Sequence, residues 1–151
     1  DFRAVMSRDE RLSYHDVPEN VTPEIAPYVE RVRSAEAVVI IHPVWNYGYP
    51  AILKGFFDRI FITGVSFVIE DGKLRPIMKK KKVVFVTSYG GDRVRTWLMG
   101  DPPRRLARRW AWATFGTPLP PTYLALYKMD RRTEPELRRF IEKVKGVLGK
   151  L

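Results

Sequence analysis

The chain contains no cysteine, which excludes a disulfide framework, a thiolate nucleophile and a Cys-ligated metal centre. Its two histidines, His15 and His42, stand far apart and do not replace those ligands, so no metal site is expected. No apolar run approaches the roughly 20 residues that a membrane-spanning helix requires. Nothing near the start joins a basic head, an apolar middle and a small-residue cleavage site. These absences point to one domain over residues 1–151 with a cytoplasmic address. Acidic residues are also scarce: 17 Asp and Glu face 27 Lys and Arg, leaving a formal charge of +10.

That charge fits nucleic acid, an anionic membrane surface or phosphorylated small molecules, and its placement separates them. Lys79 to Lys82 form a run before an apolar strand. Arg138, Arg139, Lys143 and Lys145 alternate with acids near the end; both groups read as solvated surface. Arg93, Arg95, Arg104, Arg105, Arg108 and Arg109 gather in one segment and are the better candidates for meeting phosphate. No recognised nucleic-acid motif accompanies them, so nucleic acid is not expected as a partner.

Residues 1–20 are polar and read as an irregular lead-in. Thr22-Pro23-Glu24 has the form of a helix start, predicting a helix over 23–34 with Ile25, Tyr28, Val29 and Val32 on one stripe. Ala37 to Ile41 is a continuous apolar, β-branched run, as in a central parallel strand covered on both faces. Ala51 to Ile62 reads as a helix stopped by Gly64. Residues 65–77 read as a hairpin turning at Asp71-Gly72. Val83 to Thr87 is a second buried strand, and 93–115 is helical with an interruption at Pro102 and Pro103. Thr122 to Tyr127 is a third strand, and Thr133 caps a closing helix through Leu148. This order specifies an α/β fold with a parallel sheet and helices on both faces.

In open α/β sheets ligands sit beyond the carboxyl ends of the strands. Two unusual loops fall there: Pro43 to Pro50, rich in aromatics, and Ser88-Tyr89-Gly90-Gly91. A large flat apolar ring with a hydrogen-bonding edge needs aromatic walls, backbone donors and residues small enough for close approach. Trp45, Tyr47, Tyr49 and the glycines meet those needs; equally, such aromatics can simply plug the end of a sheet.

The run His42-Pro43-Val44-Trp45-Asn46-Tyr47-Gly48-Tyr49-Pro50, continued by Ala51, Leu53, Lys54, Gly55, Asp58, Arg59 and Phe61, resembles the signature of the flavodoxin-like NAD(P)H dehydrogenase (quinone) family. That family includes DT-diaphorase and bacterial relatives. The resemblance implies a flavodoxin-like domain that binds FAD or FMN and passes hydride from NADPH or NADH to a quinone. It implies ring contacts from Pro43, Val44, Trp45, Asn46, Tyr47 and Gly48, and from Ser88, Tyr89, Gly90 and Gly91. Asp58 and Arg59 are expected to pair and fix their helix. No histidine follows His42, so Tyr89, Arg93 and Arg95 are the remaining candidates to handle charge on the reduced ring. The resemblance further implies a homodimer, with the aromatic loop and the hairpin at the interface. The alternatives are an ancillary or regulatory subunit of a potassium-efflux transporter, a membrane partner, or a truncated non-catalytic remnant.

In that family a first strand, a phosphate-binding loop and a second strand come before the segment that Asp1 to Met6 resembles, so the fold is expected to be N-terminally truncated here. Ala37 to Ile41 would then become an edge strand. Without the phosphate loop, ring contacts alone give weak flavin binding unless another segment or subunit supplies the anchor. The expected outcome is colourless protein after desalting in the presence of FMN; stoichiometric flavin released on denaturing the desalted protein would overturn it.

Overall fold

The computed structural model describes residues 2–78, 80–116 and 119–151. A short helix α1 (Arg8–Leu12) precedes α2 (Ala26–Ser34), strand β1 (Ala37–Pro43) and α3 (Ala51–Ile60). A hairpin of β2 (Phe67–Glu70) and β3 (Lys73–Pro76) leads to β4 (Lys82–Ser88). Helices α4 (Arg93–Leu98) and α5 (Pro102–Phe115), strand β5 (Thr122–Leu126) and helix α6 (Glu134–Leu148) complete the order. The three long strands form a parallel sheet, β1-β4-β5, with Val39 opposite Val84 and Val86 opposite Leu124.

Helices cover both faces. On one face Ile40, Val83 and Phe85 pack with Val29 of α2, Phe57 and Ile60 of α3, and Ala107, Ala111 and Phe115 of α5. On the other, Val84, Val86 and Leu124 lie under Phe140, Val144, Val147 and Leu148 of α6. Trp110 stacks on Phe57 with centroids 4.3 Å apart, the tightest aromatic contact of the main core. β4 is central and buried over most of its length. β1, predicted as central by its composition and as an edge by the truncation, is an edge strand among the described residues. Val39 and Ile41 stand in register with Val84 and Val86 and so share the face of α6, yet Ile41 is 71% exposed because α6 covers only β4 and β5.

Four expectations need correction. The lead-in is not irregular throughout: Ser7 and Glu10 form a capping box that starts α1, with Glu10 N donating to Ser7 Oγ at 3.1 Å and Ser7 N to a Glu10 carboxylate oxygen at 2.6 Å. Thr22 does not cap a helix at residue 23. Its carbonyl accepts from the amides of Ile25 and Ala26 in a lead-in turn, and the helix begins at Ala26 with Pro27 in its first turn. The lysine run is not all solvated surface, since Lys81 is buried and its ammonium donates to the carbonyls of Arg33 and Ala35 at the end of α2. Lys79 lies outside the described residues.

Asp58 and Arg59 do not pair. Asp58 binds Lys54 one turn earlier, whereas Arg59, 1% exposed, reaches across the fold. Its Nε and Nη2 donate to Glu10 at 3.1 and 2.5 Å, Nη1 and Nη2 to Glu24 at 3.2 and 2.9 Å, and Nη1 also to the carbonyl of Arg3. Two residues could not be seen as partners from spacing because they lie 49 and 35 positions away. Burial works to raise the Glu10 carboxyl, but the Ser7 amide and the Arg59 guanidinium outweigh it and hold the group below its ordinary value.

A depressed folded-state pKa gives stability that is complete above the unfolded-state value and is lost as pH falls through the folded one. The urea midpoint is therefore expected to fall on acidification below about pH 4.5. In Glu10→Gln that fall should be shallower, from a lower starting stability; an unchanged slope would remove Glu10 from the acid response.

Candidate functional site

The carboxyl ends of all three parallel strands meet at one end of the sheet. The amide of Val44, just past β1, donates to the carbonyl of Ser88 at 2.8 Å, and the amide of Tyr89 donates to that of Leu126 at 2.8 Å. Further bonds from Lys128 to Gly91 and from Met129 to Tyr89 tie the β5 loop to the glycine loop. Asp92 then caps α4 by accepting from the Arg95 amide at 2.8 Å.

The loop after β1 is a tight turn. Trp45 and Gly48 exchange backbone hydrogen bonds at 3.2 and 2.8 Å, with Asn46 and Tyr47 between them at φ of 46° and 60°. Two successive positive φ values are the mark of a type I′ hairpin turn. Asparagine tolerates this region, whereas for tyrosine it is strained. The geometry leaves the amides of Asn46 and Tyr47 without a partner among the described residues, and the same holds for those of Gly90 and Gly91.

Between these loops lies a cleft of about 340 Å³ lined by Val44, Asn46, Tyr47, Tyr89, Gly90, Gly91, Arg95 and Thr96. That volume is at the lower end of small-molecule sites. Six of the predicted ring-binding residues and the predicted Arg95 are therefore brought together. Pro43 and Ser88 pair in the strand register and frame the cleft from below. Trp45, 68% exposed, and Gly48 form the stem of the turn beside it. Arg93 does not join the cleft; it lines a separate depression on the other side of α4. Thr96 escaped sequence reasoning because its role is local: it is buried and donates from Oγ1 to the Asp92 carbonyl at 2.8 Å.

Tyr89 contributes its ring rather than a free hydroxyl. Its Oη lies 2.6 Å from that of Tyr123 and donates to Asp101 at 3.2 Å, while the ring packs on Tyr127 at 4.7 Å. Burial first, and then the Tyr123 hydroxyl, push the phenol well above its ordinary value, so it stays protonated. His42 is buried behind the loop, edge-on to Tyr49 at 5.1 Å. Its Nδ1 donates to the carbonyl of Pro43 at 2.9 Å, leaving Nε2 as an acceptor with no partner among the described residues. Burial lowers its pKa, so the ring is neutral near pH 7 and supports the loop instead of charging it.

The arrangement can receive the edge and face of a flat polar-rimmed ring: residues carrying four unpartnered backbone amides, two tyrosines and one arginine line the cleft together. Replacing Tyr47 by glycine should relieve the left-handed backbone and raise stability by about 1 kcal/mol, measured by urea unfolding. A loss of stability would show that the side chain, not the backbone, dominates at this position.

Comparison with known proteins agrees with this architecture. The family described as Flavodoxin-like fold matches residues 2–140. An FMN-dependent NADH:quinone oxidoreductase of Coprothermobacter proteolyticus is 33% identical over 92 residues, 61% of this chain and 42% of that protein. The chain thus spans less than half the length of this curated relative. Among solved structures, Smu.1420 from Streptococcus mutans UA159 superposes with a TM-score of 0.83 at 21% identity, covering 99% of this chain and 78% of that one. A Bacillus anthracis FMN-dependent NADH-azoreductase in complex with FMN superposes with a TM-score of 0.75 at 18% identity, covering 99% and 77%. With a parallel β1-β4-β5 sheet clothed by helices on both faces and a family match over nearly its whole length, the chain belongs to the Flavodoxin-like fold family.

Proposed function

We propose that this chain carries the ring-binding part of an FMN-dependent NAD(P)H:quinone oxidoreductase. The observation that carries the reading is the cleft between the Asn46-Tyr47 turn and the Gly90-Gly91 loop, lined by four residues whose amides have no partner among the described residues and by Tyr47 and Tyr89. FMN is favoured over FAD because the relatives' names specify it.

The residues present fit the ring of FMN. The amides of Asn46, Tyr47, Gly90 and Gly91 offer donors to its carbonyl edge, and Tyr47 offers an aromatic surface. Gly90 and Gly91 leave room for a planar edge to reach the backbone, where side chains would intervene. Arg95 places a fixed positive charge at the rim, which favours an electron-rich ring over a neutral one. When bound, FMN supplies the hydride chemistry between nicotinamide and quinone. Tyr89, Tyr123 and Asp101 hold the wall of the cleft rigid, so that a ring and a second planar substrate can be kept face to face.

A homodimer is supported by exposed apolar groups on two elements: Trp45 and Tyr47 on the turn, and Ile69 and Leu74 on the hairpin. Size-exclusion chromatography with light scattering measures this.

The test of function supplies FMN in excess, with NADH or NADPH and a soluble naphthoquinone, and follows nicotinamide oxidation at saturating quinone. Turnover above the rate of free FMN is expected. Gly91→Val, which puts a branched side chain at the open glycine, should abolish it while circular dichroism remains unchanged. Turnover that survives in Gly91→Val would locate the reaction elsewhere.

A further inference from the structure

On the far side of α4 from the ring cleft lies a second depression of about 340 Å³, lined by Arg93, Trp97, Asp101, Arg104, Arg105 and Tyr127 together with Gly100. Arg93 and Trp97 are one helical turn apart and share that face, while Arg95 and Thr96 line the ring cleft. A single short helix therefore walls two adjoining cavities.

The charges in this depression are not balanced. Arg104 is satisfied: its Nε donates to Asp101 at 2.8 Å and its guanidinium lies 4.6 Å over the Tyr123 ring. Arg93 and Arg105 have no partner among the described residues. Other exposed cations, such as Arg108 and Arg109 of α5, also lack an acid partner among the described residues, but Arg93 and Arg105 line one depression together with an exposed indole. The Arg105 guanidinium rests against Gly100, where an added Cβ would come to 3.5 Å of Nη1, so the loop leaves space for it. Beside the two free guanidinium groups stands Trp97, 72% exposed, a large π surface that packing does not use.

Two guanidinium groups suit a phosphate monoester, which carries close to two negative charges and accepts from both forks. An exposed indole suits a purine. We propose that this depression takes the 2′-phosphorylated adenosine end of NADPH, with the monoester between Arg93 and Arg105 and the adenine against Trp97. A 2′-phosphate met by arginine is the usual chemical basis for telling NADPH from NADH. The cosubstrate then spans α4, its nicotinamide in the ring cleft, and the preferred donor is NADPH although the two flavin-dependent relatives described above are named for NADH. The preference between donors rests on the oxidoreductase reading; binding of the phosphoadenosine end does not.

Titration of the purified chain with 2′,5′-ADP, followed by calorimetry, tests the site without flavin or turnover. Binding about tenfold or more tighter than for 5′-ADP is expected, as charge-assisted hydrogen bonds to one phosphate supply. It should weaken as salt is raised. Arg93→Ala with Arg105→Ala should remove the difference between the two nucleotides, and Trp97→Ala should weaken both. All three residues are in the depression and away from the core, and circular dichroism confirms folding. Equal affinity for 2′,5′-ADP and 5′-ADP, or affinity for inorganic phosphate matching that for 2′,5′-ADP, would overturn the proposal. If 2′,5′-ADP binds selectively but no quinone turnover occurs with FMN, the function reading fails and this site stands. If turnover occurs but 2′,5′-ADP binds no more tightly than 5′-ADP, the site fails and the function stands.

Discussion

The guanidinium of Arg59 is the interaction on which the arrangement of the chain depends. It sits on the last turn of α3 at 1% exposure and binds the lead-in through Arg3 and Glu10 and the turn before α2 through Glu24. Phe2 lies against it with the guanidinium carbon 5.3 Å from the ring centroid. A buried cation without partners costs several kcal/mol, so the fold tolerates Arg59 only when three separate segments arrive together. α3 follows directly on the turn that shapes the ring cleft, and its position is thereby set by groups far from that cleft. Gly55 makes the same demand sterically. A Cβ there would lie 2.2 Å from the carbonyl oxygen of Ala4, so only glycine lets the lead-in cross α3 this closely.

Legibility followed the range of the interactions. The parallel strands, the two-glycine loop, the hairpin and the capped closing helix are each encoded within a few residues, and their observed bounds differ from the expected ones by a residue or two. That the two loops would meet at one cleft was legible because their residues are contiguous in two runs at strand ends, a position that the α/β fold itself selects. The partners of Arg59 were not legible, since nothing local marks Glu10 or Glu24, and an adjacent acid at Asp58 offered a false choice. The split of the arginines into those that are paired and those that are free was likewise hidden, because it depends on how α4 meets α5.

α4 and the residues after it also join the two cavities chemically. Tyr89 lines the ring cleft and donates to Asp101, while Asp101 accepts from Arg104 in the second depression. Tyr123, on β5, lies under both, bound to Tyr89 through its hydroxyl and facing Arg104 with its ring. One carboxylate thus fixes a wall of each cavity, and the protonated state of Tyr89 follows from the same burial that makes the wall stiff.

The sheet has a consequence for the way the chain acquires its structure. Ala37 must find Lys82 and Val84 must find Thr122, so each pairing closes a loop of roughly 40 residues before any sheet hydrogen bond repays the lost entropy. The β2-β3 hairpin, turning at Asp71-Gly72, closes over only a few residues and belongs to the microsecond class of events. The hairpin and helices are therefore expected to form ahead of the sheet. During that interval the apolar run of β1 is exposed along its whole length, and even afterwards Ile41 remains open. Exposed apolar surface thus sits on the same strand that leads into the Asn46-Tyr47 turn.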